Sequence, residues 1–111
     1  IFTSPQIAGV GITEQALREK KIKYTIGRYE YINTGMGAAI DDKDGFVKVL
    51  VDPETKKILG CHILGSDAST LVHEVIVAMR AGLDINAITR AVHIHPALPE
   101  VVQRAFNNIA Y

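Results

Sequence analysis

The stretch Phe46-Val47-Lys48-Val49-Leu50-Val51-Asp52-Pro53-Glu54-Thr55-Lys56-Lys57-Ile58-Leu59-Gly60-Cys61-His62-Ile63-Leu64 decides the fold. Val47, Val49 and Val51 recur at the two-residue period of a strand, which puts them on one face. Pro53 is pre-set for the second position of a β-turn and Asp52 stands ahead of it, so the chain reverses there. Ile58 to Leu64 returns as the antiparallel partner. Cys61 is the single cysteine of the chain. It excludes an internal disulfide and an all-cysteine metal site, and within a strand it reads as a small buried hydrophobe.

Upstream, Ile1 to Pro5 reads as an extended lead, and Gln6 to Gly11 as a short strand whose glycines admit a close neighbour. Thr13 caps the next helix, with Glu14 at its positive end and Arg18, Lys20 and Lys21 at its negative end. Tyr24 to Tyr31 is rich in β-formers and gives another strand. Asn33 to Ile40 holds Gly35 and Gly37, but no Gly-Lys-Ser/Thr follows and the GxGxxG spacing is missing. It reads as a connection with one helical turn rather than a phosphate cradle. Asp41-Asp42-Lys43-Asp44-Gly45 is a solvated turn, since its acidic spacing does not fit a calcium loop.

Downstream, Ser66 or Asp67 caps the longest helix, in which Ala68, Leu71, Val72, Val75, Ile76 and Met79 recur at three- and four-residue steps. Gly82 ends it. Val77 and Ala81 lie off that stripe and hint at a second covered face, while His73 and Glu74 read as solvent-facing or interface residues. Asp84 caps a shorter helix through Ala91. The last helix carries Leu98, Val101, Val102, Ala105, Phe106 and Ile109 on one side. This order predicts an α+β fold, a mainly antiparallel sheet of about four to five strands with helices packed on one face. The 111 residues form a single domain, 1–111, near the size at which burial only just suffices, so partnering would help it.

Twelve basic and twelve acidic residues cancel, and no basic block exceeds Lys20-Lys21 or Lys56-Lys57. That excludes a nucleic-acid footprint. Hydrophobic residues make up 48% of the chain, yet no apolar run approaches the ~20 residues of a membrane span. The apolar surplus points to a buried protein contact instead. The chain opens on Ile1 with neither an initiator methionine nor a signal peptide, which suggests a fragment of a longer, cytoplasmic protein.

The chemistry concentrates in Val92-His93-Ile94-His95-Pro96-Ala97-Leu98-Pro99-Glu100. Pro96 pushes His95 into an extended conformation, and Glu100 falls in the first turn of the closing helix. Across that bend a carboxylate can hold one imidazole nitrogen and orient the other for general acid-base work. The plainer alternative is a chance His-x-His beside a glutamate that merely suits the helix dipole. A metal-binding module would need His93 and His95 with His62, His73 or Glu100 converging, without a CxxC or HExxH to organise them. A plain interaction domain, with histidines that only pack, is the third reading.

Four marks occur in order: Phe2-Thr3-Ser4-Pro5-Gln6-Ile7-Ala8-Gly9-Val10-Gly11-Ile12-Thr13-Glu14, Gly45-Phe46-Val47-Lys48, Ile58-Leu59-Gly60-Cys61-His62-Ile63-Leu64-Gly65 and His93-Ile94-His95-Pro96-Ala97-Leu98-Pro99-Glu100. On these the chain resembles, end to end, the C-terminal dimerisation domain of the FAD-dependent pyridine nucleotide-disulfide oxidoreductases, most of all the dihydrolipoyl dehydrogenases.

The resemblance implies that His95 is the acid-base residue, that Glu100 holds and polarises it, and that Pro96 follows an often cis peptide bond beside the flavin. His95 and Glu100 would serve the other subunit of a homodimer, meeting a redox cysteine pair, FAD and a dithiol substrate such as a lipoyl group, with electrons passing on to NAD. A mycothione, glutathione or coenzyme A disulfide reductase could use the same pair. The cysteine pair and the nucleotide-binding units belong to preceding domains in the family, so this fragment alone should be inert. Three departures stand out. Ala97 replaces the family's frequent Thr or Ser and cannot begin a capping box. Asn33-Thr34-Gly35-Met36-Gly37-Ala38 lacks the frequent arginine. The tail Asn107 to Tyr111 lacks the terminal cysteines of mercuric reductases, which argues against mercury chemistry.

Overall fold

In the computed structural model residues 6–40, 43–95 and 97–109 are described. The Ile1 to Pro5 lead, Asp41-Asp42 of the acidic turn, Pro96 and the last two residues lie outside that set.

The central hairpin forms as its alternation predicts. Strand β3 (Phe46–Val51) pairs antiparallel with β4 (Ile58–Leu64). In the turn between them Asp52 Oδ1 accepts from the backbone N–H groups of Glu54, at 2.8 Å, and Thr55, at 3.3 Å. Strand β1 (Ile7–Gly11) adds to the free side of β4, and β2 (Thr25–Glu30) to the free side of β3. The sheet therefore has four strands in the order β1-β4-β3-β2, all antiparallel. Val47, Val49, Val51, Cys61 and Ile63 share its inner face, each no more than 1% exposed.

Helix α1 (Glu14–Glu19) starts at Thr13, whose Oγ1 accepts from the Ala16 N–H. It lies over the opposite face of the sheet. Lys48, on the outer side of β3, reaches Glu14 at 3.3 Å, and Leu17 and Leu50 are both fully buried yet outside the main core. After a 3₁₀ turn at Tyr31–Asn33, Thr34 caps the one-turn helix α2 (Gly35–Ala39).

The long helix read from the apolar stripe is two helices, α3 (Ala68–Leu71) and α4 (His73–Arg80), separated at Val72, where ψ opens to −17°. Asp67 stands at the N-cap position, but its side chain does not cap the helix. Asp67 sits in the left-handed region at φ 59° with no side-chain capping bond. Gln6 does the work instead, its Oε1 accepting from Ser69 N at 3.2 Å and Ser69 Oγ at 3.0 Å. Gly82, at φ +69°, closes α4 as expected. The next helix is shorter than its pattern, α5 (Asn86–Thr89) rather than a run to Ala91, with Asp84 Oδ1 accepting from Asn86 N.

The closing helix α6 (Pro99–Asn107) begins with proline in its first turn, where no N–H is missed. It lies on β2 and β3 and buries Val101, Val102, Ala105 and Phe106 to within 1%. Burial of one such side chain contributes roughly 1.5–3 kcal/mol, so α6 is fastened to the sheet over most of its length. That fixes the bearing of its first turn, where Glu100 sits.

Candidate active site

Residues 91–95 carry no regular structure and run from the end of α5 towards the start of α6. Val92 and Ile94 point outwards, 99% and 78% exposed. His95 turns back to the helix, and its Nδ1 lies 2.5 Å from Glu100 Oε1. A carboxylate only accepts, so the proton of that bond sits on Nδ1 and Nε2 is the nitrogen left over. The ring is 72% exposed while the Glu100 side chain is 10% exposed, and Nε2 has no hydrogen-bond partner among the described residues. Glu100 also accepts from the Ala97 N–H at 3.4 Å. This is the half of a capping box that any backbone can supply; what Ala97 lacks is the hydroxyl that would accept from the Glu100 N–H.

The remaining histidines are scattered. His93 turns inwards, with a side chain only 6% exposed, and Nε2 donates to Glu74 Oε2 at 2.9 Å. His62 Nε2 stands 3.2 Å from the Ile12 carbonyl, and His73 is exposed. His93 and His95 are held by different carboxylates, and no three His, Cys, Asp or Glu side chains converge among the described residues. Glu74, read from sequence as a solvent or interface residue, is instead the partner of His93. Nothing in a nineteen-residue separation signals that pairing.

Cys61 is fully buried, and loss of solvent, reinforced by the Glu74 charge, pushes its thiol up to about 12. It is a packing residue and supplies no thiolate near neutral pH. The two glycines of α2 form no phosphate cradle either. A Cβ at Gly37 would run into the Tyr31 carbonyl, and its N–H is already taken by Thr34 Oγ1 at 3.0 Å. Gly37 lets the turn pack on Tyr31.

Residues 1–106 match the pyridine nucleotide-disulphide oxidoreductase dimerisation domain. The chain belongs to that family. The dimerisation domain is 36% identical over 105 residues to dihydrolipoyl dehydrogenase 2, mitochondrial, of Arabidopsis thaliana, covering 95% of this chain and 21% of that protein. It is 39% identical over 105 residues to the mitochondrial dihydrolipoyl dehydrogenase of Dictyostelium discoideum, covering 95% of this chain and 22% of that protein. Among solved structures, LpdA of Mycobacterium tuberculosis superposes with a TM-score of 0.89 at 21% identity, over 96% of this chain and 23% of the other. The HOCl-induced flavoprotein disulfide reductase RclA of Escherichia coli gives 0.89 at 25% identity, over 96% and 24%. The chain spans about a fifth of the length of the curated relatives it matches. No helix among the described residues is long and apolar enough to cross a membrane.

Proposed function

We propose that this domain completes the active site of a dihydrolipoyl dehydrogenase-type, NAD-dependent flavoprotein by lending His95 and Glu100 to the partner subunit of a homodimer. The observation that carries the reading is a carboxylate-held imidazole, in a member of this family, whose second nitrogen has no hydrogen-bond partner among the described residues. A group left so open acts only on something that docks against it. Val92 and Ile94 offer apolar surface to a partner close by.

In this reading Nε2 of His95 takes a proton from a substrate thiol and returns it after exchange, because the thiolate and not the thiol attacks a disulfide. Glu100 holds Nδ1–H, fixes the tautomer and keeps the ring aimed as charge passes through it. Bound FAD supplies the two-electron acceptor between the dithiol and NAD. The described residues contain no cradle for its phosphates; His95 would stand beside the flavin, as would Pro96, which lies outside the described residues, and the cofactor would be held mainly by other domains. The chain alone would be inert. A lipoyl dithiol is favoured over a mycothione, glutathione or coenzyme A disulfide by the names of the relatives. Several of those relatives are named mitochondrial, and a cytoplasmic placement of this protein remains part of the proposal.

The test is His95→Gln in the full-length protein, which keeps a polar side chain but cannot cycle a proton. Dithiol oxidation should fall by about 10²–10⁴-fold, the usual contribution of general acid-base catalysis, with flavin content unchanged. Turnover near that of the wild type would sink the assignment.

A further inference from the structure

We infer that Glu74 and Gln103 are positioning residues for His95, acting through His93 and the Ala91 carbonyl; the inference rests on the reading of His95 given above. Residues 91–95 have no helix or strand to hold them, yet the acid-base nitrogen at their end must be set to a fraction of an ångström. The fastening comes from two helices. From α4, Glu74 Oε2 accepts from His93 Nε2 at 2.9 Å, while His93 Nδ1 lies 3.1 Å from the Ala91 carbonyl. Glu74 grips the ring at Nε2, and the His93 side chain is only 6% exposed.

From α6, the Gln103 amide donates to the same Ala91 carbonyl at 2.9 Å and to the carbonyls of Thr89 at 3.2 Å and Ile88 at 3.4 Å. These are carbonyls at the end of α5 and just past it, where a helix runs out of backbone donors; that of Ile88 also accepts from the Ala91 N–H at 3.3 Å. Gln103 lies one turn beyond Glu100 on the same helix. The helix that presents the carboxylate to His95 therefore also holds the base of the segment that presents His95. The two halves of the pair share one frame, and Glu74 ties that frame to α4.

Glu74 has His93 as its only hydrogen-bond partner among the described residues, and its other oxygen, Oε1, is buried without one. A carboxylate that serves stability alone would be expected to satisfy both oxygens, since a buried unpaired acceptor is costly. Here its hydrogen bonding is spent entirely on the histidine two residues before His95.

The experiment uses the full-length dimeric protein. Glu74→Ala should lower kcat for dithiol oxidation by about 10–100-fold, as a displacement of about 1 Å does, with KM essentially unchanged and flavin content intact. Glu74→Gln, whose amide oxygen still accepts from His93, should recover most of that loss. Native-state hydrogen exchange supplies a readout independent of turnover: in Glu74→Ala and Gln103→Ala the amides of Arg90 and Ala91, which donate to the Asn86 and Ile88 carbonyls, should exchange at least about tenfold faster while those of 101–106 keep their protection. Full kcat in Glu74→Ala, a Gln variant as impaired as the Ala variant, or exchange accelerated equally across α4 and α6 would each overturn the inference. His95→Gln at full turnover would bring down the reading of the site itself, whereas an inactive His95→Gln beside a fully active Glu74→Ala brings down only this inference.

Discussion

Gly27→Ala tests how tightly the helix that carries Glu100 is seated. Gly27 lies in the edge strand β2, directly under α6. A Cβ there would meet the Ala105 carbonyl, with Ile109 Cγ1 at 2.8 Å and Val49 Cγ2 at 3.1 Å. Its backbone is not in the left-handed region, so alanine suits the conformation and would by itself stabilise by about 0.4–1 kcal/mol through the unfolded chain. Overpacking opposes that gain at about 1–3 kcal/mol. The obstacle is a helix backbone rather than a movable side-chain tip, which places the cost in the upper part of the range. The net effect is a destabilisation of about 1–2 kcal/mol, or roughly 4–8 °C in Tm for a domain of this size. Thermal unfolding should be compared at one fixed protein concentration, since a dimer's midpoint moves with concentration. A midpoint equal to or above the wild type would refute the claim that backbone-to-backbone packing seats α6.

Two further outcomes follow from the side-chain chemistry. The Tyr24 hydroxyl, which donates to Glu14 Oε2 at 2.8 Å, is the leading reason that carboxyl sits below its ordinary range. A depressed carboxyl contributes stability that is full above its unfolded value, about 4.3, and is lost as pH falls through the folded value. The Tm difference between the wild type and Tyr24→Phe should therefore be widest near pH 7 and shrink below about pH 4; a gap constant with pH would contradict this. For Cys61, a thiol pushed up to about 12 has a thiolate fraction at pH 8 about three orders of magnitude below that of the unfolded chain. Iodoacetamide should label it only after denaturant is added, and rapid native labelling would show that the core opens.

The hairpin, the capped first helix and the apolar face of α6 were legible because each is written in local periodicity or turn chemistry. Val47, Val49 and Val51, Asp52-Pro53 and Thr13 are all read within a few residues of where they act. The contact of His95 with Glu100 was legible for the same reason, five residues of separation across a proline. What escaped was non-local. The apolar stripe from Ala68 to Met79 hid a break at Val72, because opening one turn by a change in ψ leaves the hydrophobic pattern intact. Gln6 caps α3 from 63 residues away, and Glu74 and Gln103 reach the His95 segment from different helices. Such pairings exist only once the sheet has set the helices side by side.

The central claim is that His95 of one protomer serves the active site of its partner, and hybrid dimers test it most directly. A full-length protomer carrying His95→Gln is co-expressed with one in which the redox cysteines that the proposed function places in other domains are replaced by serine. Each homodimer is inactive. In a symmetric dimer with service between subunits, half of all pairings are hybrids and each hybrid keeps one intact site, so the mixture should show about a quarter of wild-type dithiol oxidation. A mixture as inactive as its two parents would mean that His95 acts within its own subunit, and the account would fail.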